Sequence, residues 1–148
     1  MNDTIRRFGH PDTLIADYRH WVVLLRPEQP TLGSLVLAAK SDATAFSALE
    51  PAAFAELATV TWHIESALER AVGYARINYL MLMMVDPNVH FHVLPRYEGG
   101  RSEVGIEVPD KGWPKAPALG EAVALTPAQI SDLAIWLKRF WPDPTATR

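Results

Sequence analysis

The chain has 148 residues, 49% of them apolar, and 14 Lys and Arg against 17 Asp and Glu give a formal net charge of −3. This balance is typical of a globular protein, and the length predicts a single domain over residues 1–148. The absence of cysteine excludes disulfides and thiolate metal sites, and the mildly acidic balance argues against a nucleic acid partner. The longest apolar run, residues 79–85, is far shorter than the ~20 residues of a membrane-spanning helix, so we expect no membrane partner and a cytoplasmic location.

The first 40 residues predict short strands. Residues 21–26 and 34–40 are rich in apolar and β-branched side chains, and they flank the turn-forming sequence EQPTLG. Residues 13–16 are a candidate for a short leading strand. Because these segments are too short for helices and are separated by turn residues, we expect them to belong to one sheet.

A long helix is predicted over residues 51–72, where apolar side chains recur every three or four positions. Pro51 suits the first helical position, and Gly73 suits the left-handed conformation that commonly follows the last turn. His63 falls between two positions of the apolar stripe, so it is predicted to lie at the surface or at its rim.

Two further strands follow the helix. Residues 77–85 are apolar almost throughout and predict a central strand buried on both faces, which ends at Asp86 and Pro87. Residues 89–94 alternate between polar and apolar and predict a second strand, which ends at Pro95. The connection between the two is too short for a crossover helix, so they are predicted to pair antiparallel.

The last third of the chain predicts a surface loop and a final helix. Residues 98–121 are rich in Gly and Pro, with a short candidate strand at 104–108. Thr126, Pro127 and Gln129 form the sequence signature of a capped helix start. The order of strands, helix, strands and helix predicts an α+β fold with an antiparallel sheet.

Two histidines one residue apart are the strongest functional signal. In a strand, alternate side chains share a face, so Asn88, His90 and His92 are predicted to point the same way. Three interpretations remain open: the polar face of a half-buried strand, a metal site, or nucleophilic catalysis at phosphorus by a neutral imidazole. The metal site needs a third ligand, and no spacing in the sequence supplies one, so we predict no metal and no cofactor.

The segment DPNVHFHVLPRY, residues 86–97, resembles the signature of the histidine triad superfamily, His-φ-His-φ-His-φ-φ with φ apolar. The wider layout is also similar, with a strand ending in Arg26-Pro27, a strand after Gly33, and a helix that begins at Pro51. The resemblance covers roughly residues 14–97, and the extension 98–148 carries no motif of the family.

This resemblance implies an α+β fold with a five-stranded antiparallel sheet and a long helix, to which the sequence pattern adds the C-terminal helix. It implies a homodimer and hydrolysis or transfer at the α-phosphate of a nucleotide, such as a dinucleoside polyphosphate or a nucleoside phosphoramidate. His90 matches the histidine that attacks phosphorus and forms a nucleotidyl-histidine. His92 matches the histidine that helps to hold the phosphate.

The chain also departs from the family pattern. Asn88 stands where the first histidine belongs and is the third candidate catalytic residue, with His90 and His92. Its amide can hydrogen-bond a phosphate oxygen but cannot carry a proton near neutral pH. Ser34 stands where many members have another histidine, and Met84 where a phosphate-contacting polar residue is frequent. The chain is aliphatic at residues 24–25, where members usually place a ribose-binding Asp or Asn.

Three residues outside the motif are candidates for substrate binding: Asn78, which matches a frequent asparagine of the family, Arg96 and Ser34. The first functional hypothesis is a hydrolase or transferase that acts through His90. A second is a catalytically weakened protein that binds a small phosphorylated ligand or a protein partner. A third is an enzyme for phosphate or sulfate esters other than standard nucleotides.

Overall fold

The computed structural model describes residues 1–147. Its strands are β1 (Leu14–Asp17), β2 (Trp21–Leu25), β3 (Glu28–Gln29), β4 (Leu35–Ala39), β5 (Arg76–Leu80), β6 (His90–Arg96), β7 (Gly100–Glu103), β8 (Ile106–Pro109) and β9 (Val123–Ala124). The helices are α1 (Asp3–Arg7), α2 (Pro51–Val72) and α3 (Pro127–Lys138). Five antiparallel strands form the main sheet in the order β1-β2-β4-β6-β5, and two small two-stranded sheets, β3-β9 and β7-β8, lie outside it.

One face of the sheet is buried under α2. Val60, Ile64 and Leu68 of the helix are fully buried and pack in one apolar cluster with alternate strand residues such as Val23 and Val93. The predicted bounds of α2 are confirmed, with Pro51 in its first turn and Gly73 in the left-handed conformation at φ +59°. Apolar side chains that recur every three or four residues along α2 therefore pack against apolar side chains that alternate along the strands.

The opposite face of the sheet is covered by α1, which the sequence analysis did not predict. Alternate residues of β2 and β4, such as Leu24 and Val36, are fully buried there in a second apolar cluster with Ile5. Asn2 caps the helix, since its side-chain oxygen accepts a hydrogen bond from the backbone N–H of Ile5. Both faces of the main sheet are consequently closed near its centre.

The prediction of a buried central strand at residues 77–85 was wrong in two respects. The strand ends at Leu80, and it forms an edge of the sheet whose residues are mostly half-buried. Met83, with φ +48°, lies in the loop that follows, so the apolar run turns away from the sheet. The continuous apolar run therefore covers a half-buried edge strand and the loop after it, and it does not mark a strand that is buried on both faces.

Strand β6 also differs from its prediction, because it continues through Pro95 to Arg96. The neighbouring strand β4 pairs with β6 only as far as Val93, so Pro95 lies where one side of β6 has no strand partner. A missing N–H is tolerated at such a position. The predicted antiparallel pairing of β5 with β6 is confirmed.

The C-terminal residues extend the fold. The hairpin β7–β8 occupies part of the predicted loop, and the predicted capping box of α3 at Thr126 and Gln129 is confirmed. A buried ion pair joins the hairpin to the sheet, with Arg96 Nε 2.7 Å from Asp110 Oδ2. The predicted α+β class, with a five-stranded antiparallel sheet, one long helix and a C-terminal helix, is confirmed. No helix in residues 1–147 has the length and apolarity needed to cross a bilayer.

Candidate functional site

His90 and His92 lie side by side at the start of β6, on the sheet face that α1 covers. They pair across the sheet with Ala38 and Val36, which belong to that face. The two imidazole ring centroids are 5.0 Å apart and the rings meet edge to face, with an interplanar angle of 78°. Both residues are almost completely buried, at 1% and 7% exposure.

The protein orients the ring of His90 through one of its two nitrogens. Nδ1 lies 2.7 Å from the backbone carbonyl oxygen of Asn88. A carbonyl only accepts, so Nδ1 carries the proton and Nε2 of the neutral ring carries a lone pair. Among residues 1–147, no hydrogen bond to Nε2 is present, and His90 lines a cleft. Nε2 is therefore the ring nitrogen that is left for a ligand in that cleft.

His92 is held in the opposite tautomer. Its Nδ1 accepts a hydrogen bond of 3.3 Å from the Nε–H of Arg26, so Nε2 of His92 carries the proton. Burial, the Arg26 charge and His90 together lower the pKa of His92 to about 4, against an opposing contribution from Asp86. His92 is thus a neutral hydrogen-bond donor at pH 7 beside the lone pair of His90.

Arg26 is the residue of this site that the sequence analysis missed. It follows β2 directly, and its Nη1 donates 2.6 Å to the backbone oxygen of Glu28 while Nε donates to His92. Burial lowers the pKa of Arg26. A guanidinium has five N–H groups, so donors remain for an anion. The available signal was a charged residue placed directly at the end of a wholly apolar strand.

The two histidines and Arg26 line a cleft of about 220 Å³. Phe8 forms one wall, with its ring centroid 5.5 Å from that of His90 and 5.8 Å from that of His92. Loop residues 82–86 form the other wall, and within them Met84 and Val85 are 86% and 82% exposed. The cleft combines an imidazole lone pair, an N–H donor and a cation, which are the functional groups that attack on an anionic phosphorus centre needs.

Comparison with solved structures identifies the fold. A histidine triad protein from Sinorhizobium meliloti superposes with a TM-score of 0.72 at 22% identity, over 95% of each chain. A histidine triad protein from Bradyrhizobium japonicum gives 0.71 at 19% identity, over 95% of this chain and 96% of the other. Diadenosine triphosphate hydrolase from Plasmodium falciparum gives 0.64 at 8% identity, over 88% of this chain and 76% of the other. The chain has the histidine triad fold. No protein-family model matches the sequence, and a search of curated proteins found no similar sequence.

Asn88, which the sequence analysis compared with the first histidine of the triad motif, has hydrogen bonds to both the oxygen and the nitrogen of its side chain. Its Oδ1 accepts hydrogen bonds from the hydroxyl and the backbone N–H of Thr4, at 3.0 and 3.4 Å. Its Nδ2 donates 3.0 Å to the backbone oxygen of Asp42. In this version of the histidine triad fold, the amide fastens α1 to the sheet and does not line the cleft.

The three predicted substrate-binding residues do not line the histidine cleft either. Ser34 is fully buried and bonds to Thr31 in the turn before β4. Arg96 is buried against Asp110, and its Nη1 donates 2.8 Å to Asn78 Oδ1. These side chains make their hydrogen bonds to other residues of the fold, and their contact with substrate stays a prediction.

A larger cleft of about 390 Å³ lies between the β1–β2 turn and the start of α2, away from the histidine pair. Two of its basic side chains are already paired, His20 with Glu50 at 3.1 Å and Lys40 with Asp17. Its volume exceeds that of the histidine cleft, but a single histidine, His20, lines it, whereas the smaller cleft has two adjacent imidazoles. No group of three His, Cys, Asp or Glu side chains within residues 1–147 is placed to hold a metal ion.

Proposed function

We propose that this protein is a hydrolase or transferase that acts at phosphorus through a covalent intermediate on His90. The observation that carries the proposal is the orientation of His90, whose Nε2 lone pair reaches the cleft because Nδ1 is bound to a backbone carbonyl. Arg26 and the Nε2–H of His92 stand beside it to bind phosphoryl oxygens. A neutral imidazole is a good nucleophile near pH 7, which is what the first step requires.

The reaction proceeds in two displacements. The Nε2 lone pair of His90 forms a bond to phosphorus while the bond from phosphorus to the leaving group breaks and the leaving group departs with the electron pair. A water molecule then attacks phosphorus, the N–P bond breaks with its electrons returning to Nε2, and the proton of the water is released to solvent. In a transferase reaction, another nucleophile takes the place of water.

The substrate class that the resemblance implies is a nucleotide attacked at its α-phosphate, which would place a nucleotidyl group on His90. The structurally similar Plasmodium protein is a diadenosine triphosphate hydrolase. We expect slow turnover, because Asn88 replaces an imidazole, and loss of a general acid–base group typically costs ~10²–10⁴ in rate. His92 does not supply the missing acid, since its pKa of about 4 leaves it neutral at pH 7.

The alternative is a catalytically weakened protein that binds a small phosphorylated ligand. The commitment of Asn88 to Thr4 favours it, since this amide does not assist the reaction. In that case Arg26 and His92 bind a phosphate group but His90 forms no bond to it. The two functions differ in whether a covalent adduct appears.

The test is incubation with a dinucleoside tetraphosphate and, separately, with an adenosine phosphoramidate. Intact-mass analysis after rapid acid-free quenching detects the adduct, and chromatography detects AMP. The adduct and AMP are expected from the wild-type chain and from His10→Ala, a control substitution of a histidine outside the cleft. Neither is expected from His90→Ala. Ligand-dependent thermal stabilisation without adduct or AMP supports the binding protein instead.

We further propose a homodimer, as the resemblance implies. Strand β5 is an edge of the main sheet and Tyr79 on it bonds to Glu65 of α2, so strand and helix present one continuous side. The opposite edge, β1, has α3 packed against it. Multi-angle light scattering should give twice the mass of the chain, and a monomeric mass across the accessible concentration range would contradict this assembly.

A further inference from the structure

A second cleft adjoins the histidine cleft. It has a volume of about 190 Å³ and is lined by residues at the end of α1 and after β2: Arg7, Phe8, Arg26, Pro27 and Glu28. Phe8 and Arg26 line both clefts, so a phosphate bound to Arg26 would lie where the two meet. Each cleft alone is below the ~300–1,000 Å³ typical of pockets for a whole organic ligand, whereas the two together reach that range. The second cleft is therefore a place for a substituent of the bound phosphate.

The three charged side chains of the second cleft differ in the partners they already have. Arg7 Nη1 lies 3.3 Å from Asp86 Oδ1 in an ion pair. Arg26 donates to His92 and to the backbone oxygen of Glu28. Glu28 is exposed, and within residues 1–147 its carboxylate has no hydrogen bond and no ion pair. Glu28 thus brings an acceptor with free lone pairs to this cleft.

The backbone that carries Glu28 is held in place. Strand β3 pairs Glu28 with Ala124 of β9, and Arg26 Nη1 donates 2.6 Å to the Glu28 backbone oxygen. The buried side chain of Gln29 donates to the backbone oxygens of Arg26 and Ser34, at 2.6 and 2.9 Å. Because neighbouring side chains of a strand point to opposite sides, the inward Gln29 leaves Glu28 on the side of the cleft. The acceptor is therefore held beside the cation that would bind the phosphate.

A carboxylate in this place favours one kind of substituent. It accepts hydrogen bonds from hydroxyl groups, and acidic side chains bind ribose hydroxyls in this way in dinucleotide-binding folds. It also repels further phosphates, whereas Phe8 and Pro27 provide apolar walls. Strand β2 offers no alternative acceptor, since Leu24 and Leu25 at its end are fully buried. A neutral sugar with free hydroxyls is thus the substituent that fits the second cleft best.

We propose that Glu28 determines specificity by accepting hydrogen bonds from the ribose hydroxyls of the nucleoside that stays on the phosphorus attacked by His90. This inference rests on the proposed function and adds to it a preference for ribonucleotides over nucleotides that lack these hydroxyls. Glu28 takes no part in bond formation at phosphorus, so its removal should affect only substrates that carry the hydroxyls.

The experiment compares adenosine 5′-phosphoramidate with 2′,3′-dideoxyadenosine 5′-phosphoramidate, which differ only in the two hydroxyls. The wild-type chain should hydrolyse the ribose substrate with a kcat/KM about tenfold higher, as expected for loss of a hydrogen bond to a charged acceptor. Glu28→Ala should lower kcat/KM for the ribose substrate about tenfold and leave that for the dideoxy substrate within about twofold. Glu28→Gln keeps an acceptor without the charge and should give an intermediate ratio. The matched control is Glu107→Ala, an exposed glutamate of β8 outside both clefts, which should keep the wild-type ratio.

Equal kcat/KM for the two substrates in the wild-type chain, or an unchanged ratio in Glu28→Ala, overturns the inference while hydrolysis through His90 still supports the proposed function. If neither substrate yields product or adduct, the proposed function fails, and calorimetric binding of AMP and of 2′,3′-dideoxyadenosine 5′-monophosphate decides the inference. Tighter binding of AMP by the wild-type chain that is lost in Glu28→Ala supports it. Equal affinities, or binding of neither nucleotide, overturn it. Melting temperatures show whether each variant is folded, and Glu28→Gln, with nearly the same shape, replaces Glu28→Ala if that variant is unstable.

Discussion

Buried histidine occurs in two regions of this molecule and is used differently in each. Between α2 and the C-terminal segment, His63 is fully buried with both ring nitrogens bonded, Nδ1 to the Tyr18 hydroxyl and Nε2 to the Ala146 backbone oxygen, each at 2.8 Å. At the start of β6, His90 and His92 are nearly as buried, but each ring uses one nitrogen and keeps the other free. The prediction that His63 lies at the surface was wrong.

The difference shows that burial alone does not identify a functional histidine. A ring whose two nitrogens are bonded has no lone pair and no N–H left for a ligand, and it contributes to stability. A ring held by one nitrogen is oriented and still reactive at the other. The comparison predicts that changes at His90 affect chemistry and spare the fold, whereas changes at His63 do the reverse.

The largest expected effect comes from His90→Ala. Removal of a nucleophile abolishes the covalent route, so kcat/KM should fall by at least ~10³. The ring makes a single hydrogen bond, to the Asn88 carbonyl, so the melting temperature should change little compared with that of a core variant such as Leu68→Ala. Initial rates and thermal unfolding, measured on the same preparations, check the expected fall in kcat/KM and the expected small change in melting temperature. Undiminished turnover in His90→Ala would remove the catalytic role assigned to this region.

Arg26 comes next, because its guanidinium is the cation nearest the histidine pair. Arg26→Met keeps much of the apolar stem but removes the charge, so the affinity for a phosphate ligand should weaken by about 10²-fold, as expected for loss of a charge-assisted bond of ~2–3 kcal/mol. Arg26→Lys should restore only part of it, because a single ammonium cannot also hold Nδ1 of His92 in the same way. Isothermal titration with inorganic phosphate measures all three proteins, and equal affinities would show that the anion binds elsewhere.

The third prediction concerns the pH dependence of stability. The folded-state pKa of His92 is about 4, below the ordinary value of 6.5, so the folded protein binds fewer protons than the unfolded chain between these values. Stability from this group is complete above about pH 6.5 and is lost as the pH falls toward 4. The wild-type chain should lose on the order of 2 kcal/mol more than His92→Asn between pH 7 and pH 4.5. Denaturant unfolding of both proteins tests this, and parallel pH curves would mean that His92 is not held neutral.

The sequence allowed the sheet, α2, α3 and the histidine pair to be predicted because each depends on local pattern. Alternation along residues 89–94 placed both histidines on one face, and the predicted bounds of α2 and the predicted start of α3 were confirmed. What could not be predicted depends on contacts distant in the chain. Helix α1 is five residues long, too short for a periodic signal, and it exists because Ile5 fits the sheet and Asn88 accepts from Thr4.

The candidate site shows the same division. His90 was evident from the motif as the candidate nucleophile, but Arg26 lies 66 residues away from His92 and meets it only through the pairing of β2, β4 and β6. Asn78 and Arg96 were predicted to contact substrate, and nothing in the sequence pattern indicated that Arg96 binds the buried carboxylate of Asp110, which lies in the C-terminal extension. A polar residue near a motif is thus assigned to fold or function only when its own partners are known.

The smallest expected effect completes the contrast between the two histidine regions. A leucine side chain has no hydrogen-bonding atoms. In His63→Leu, Tyr18 and the Ala146 carbonyl therefore each lose a partner, and the free energy of unfolding should fall by about 1–2 kcal/mol.

Trp141 donates 2.9 Å to the Tyr18 hydroxyl, so Trp141→Phe removes a bond from the same network. The losses in the double variant should be less than additive, because the members of one network share their partners. Rates on the best substrate should stay within about twofold, since none of these residues lines the histidine cleft. A large fall in rate with normal stability in His63→Leu would contradict the structural role assigned to His63. It would mean that hydrogen bonds to both ring nitrogens do not distinguish structural from reactive histidines in this fold.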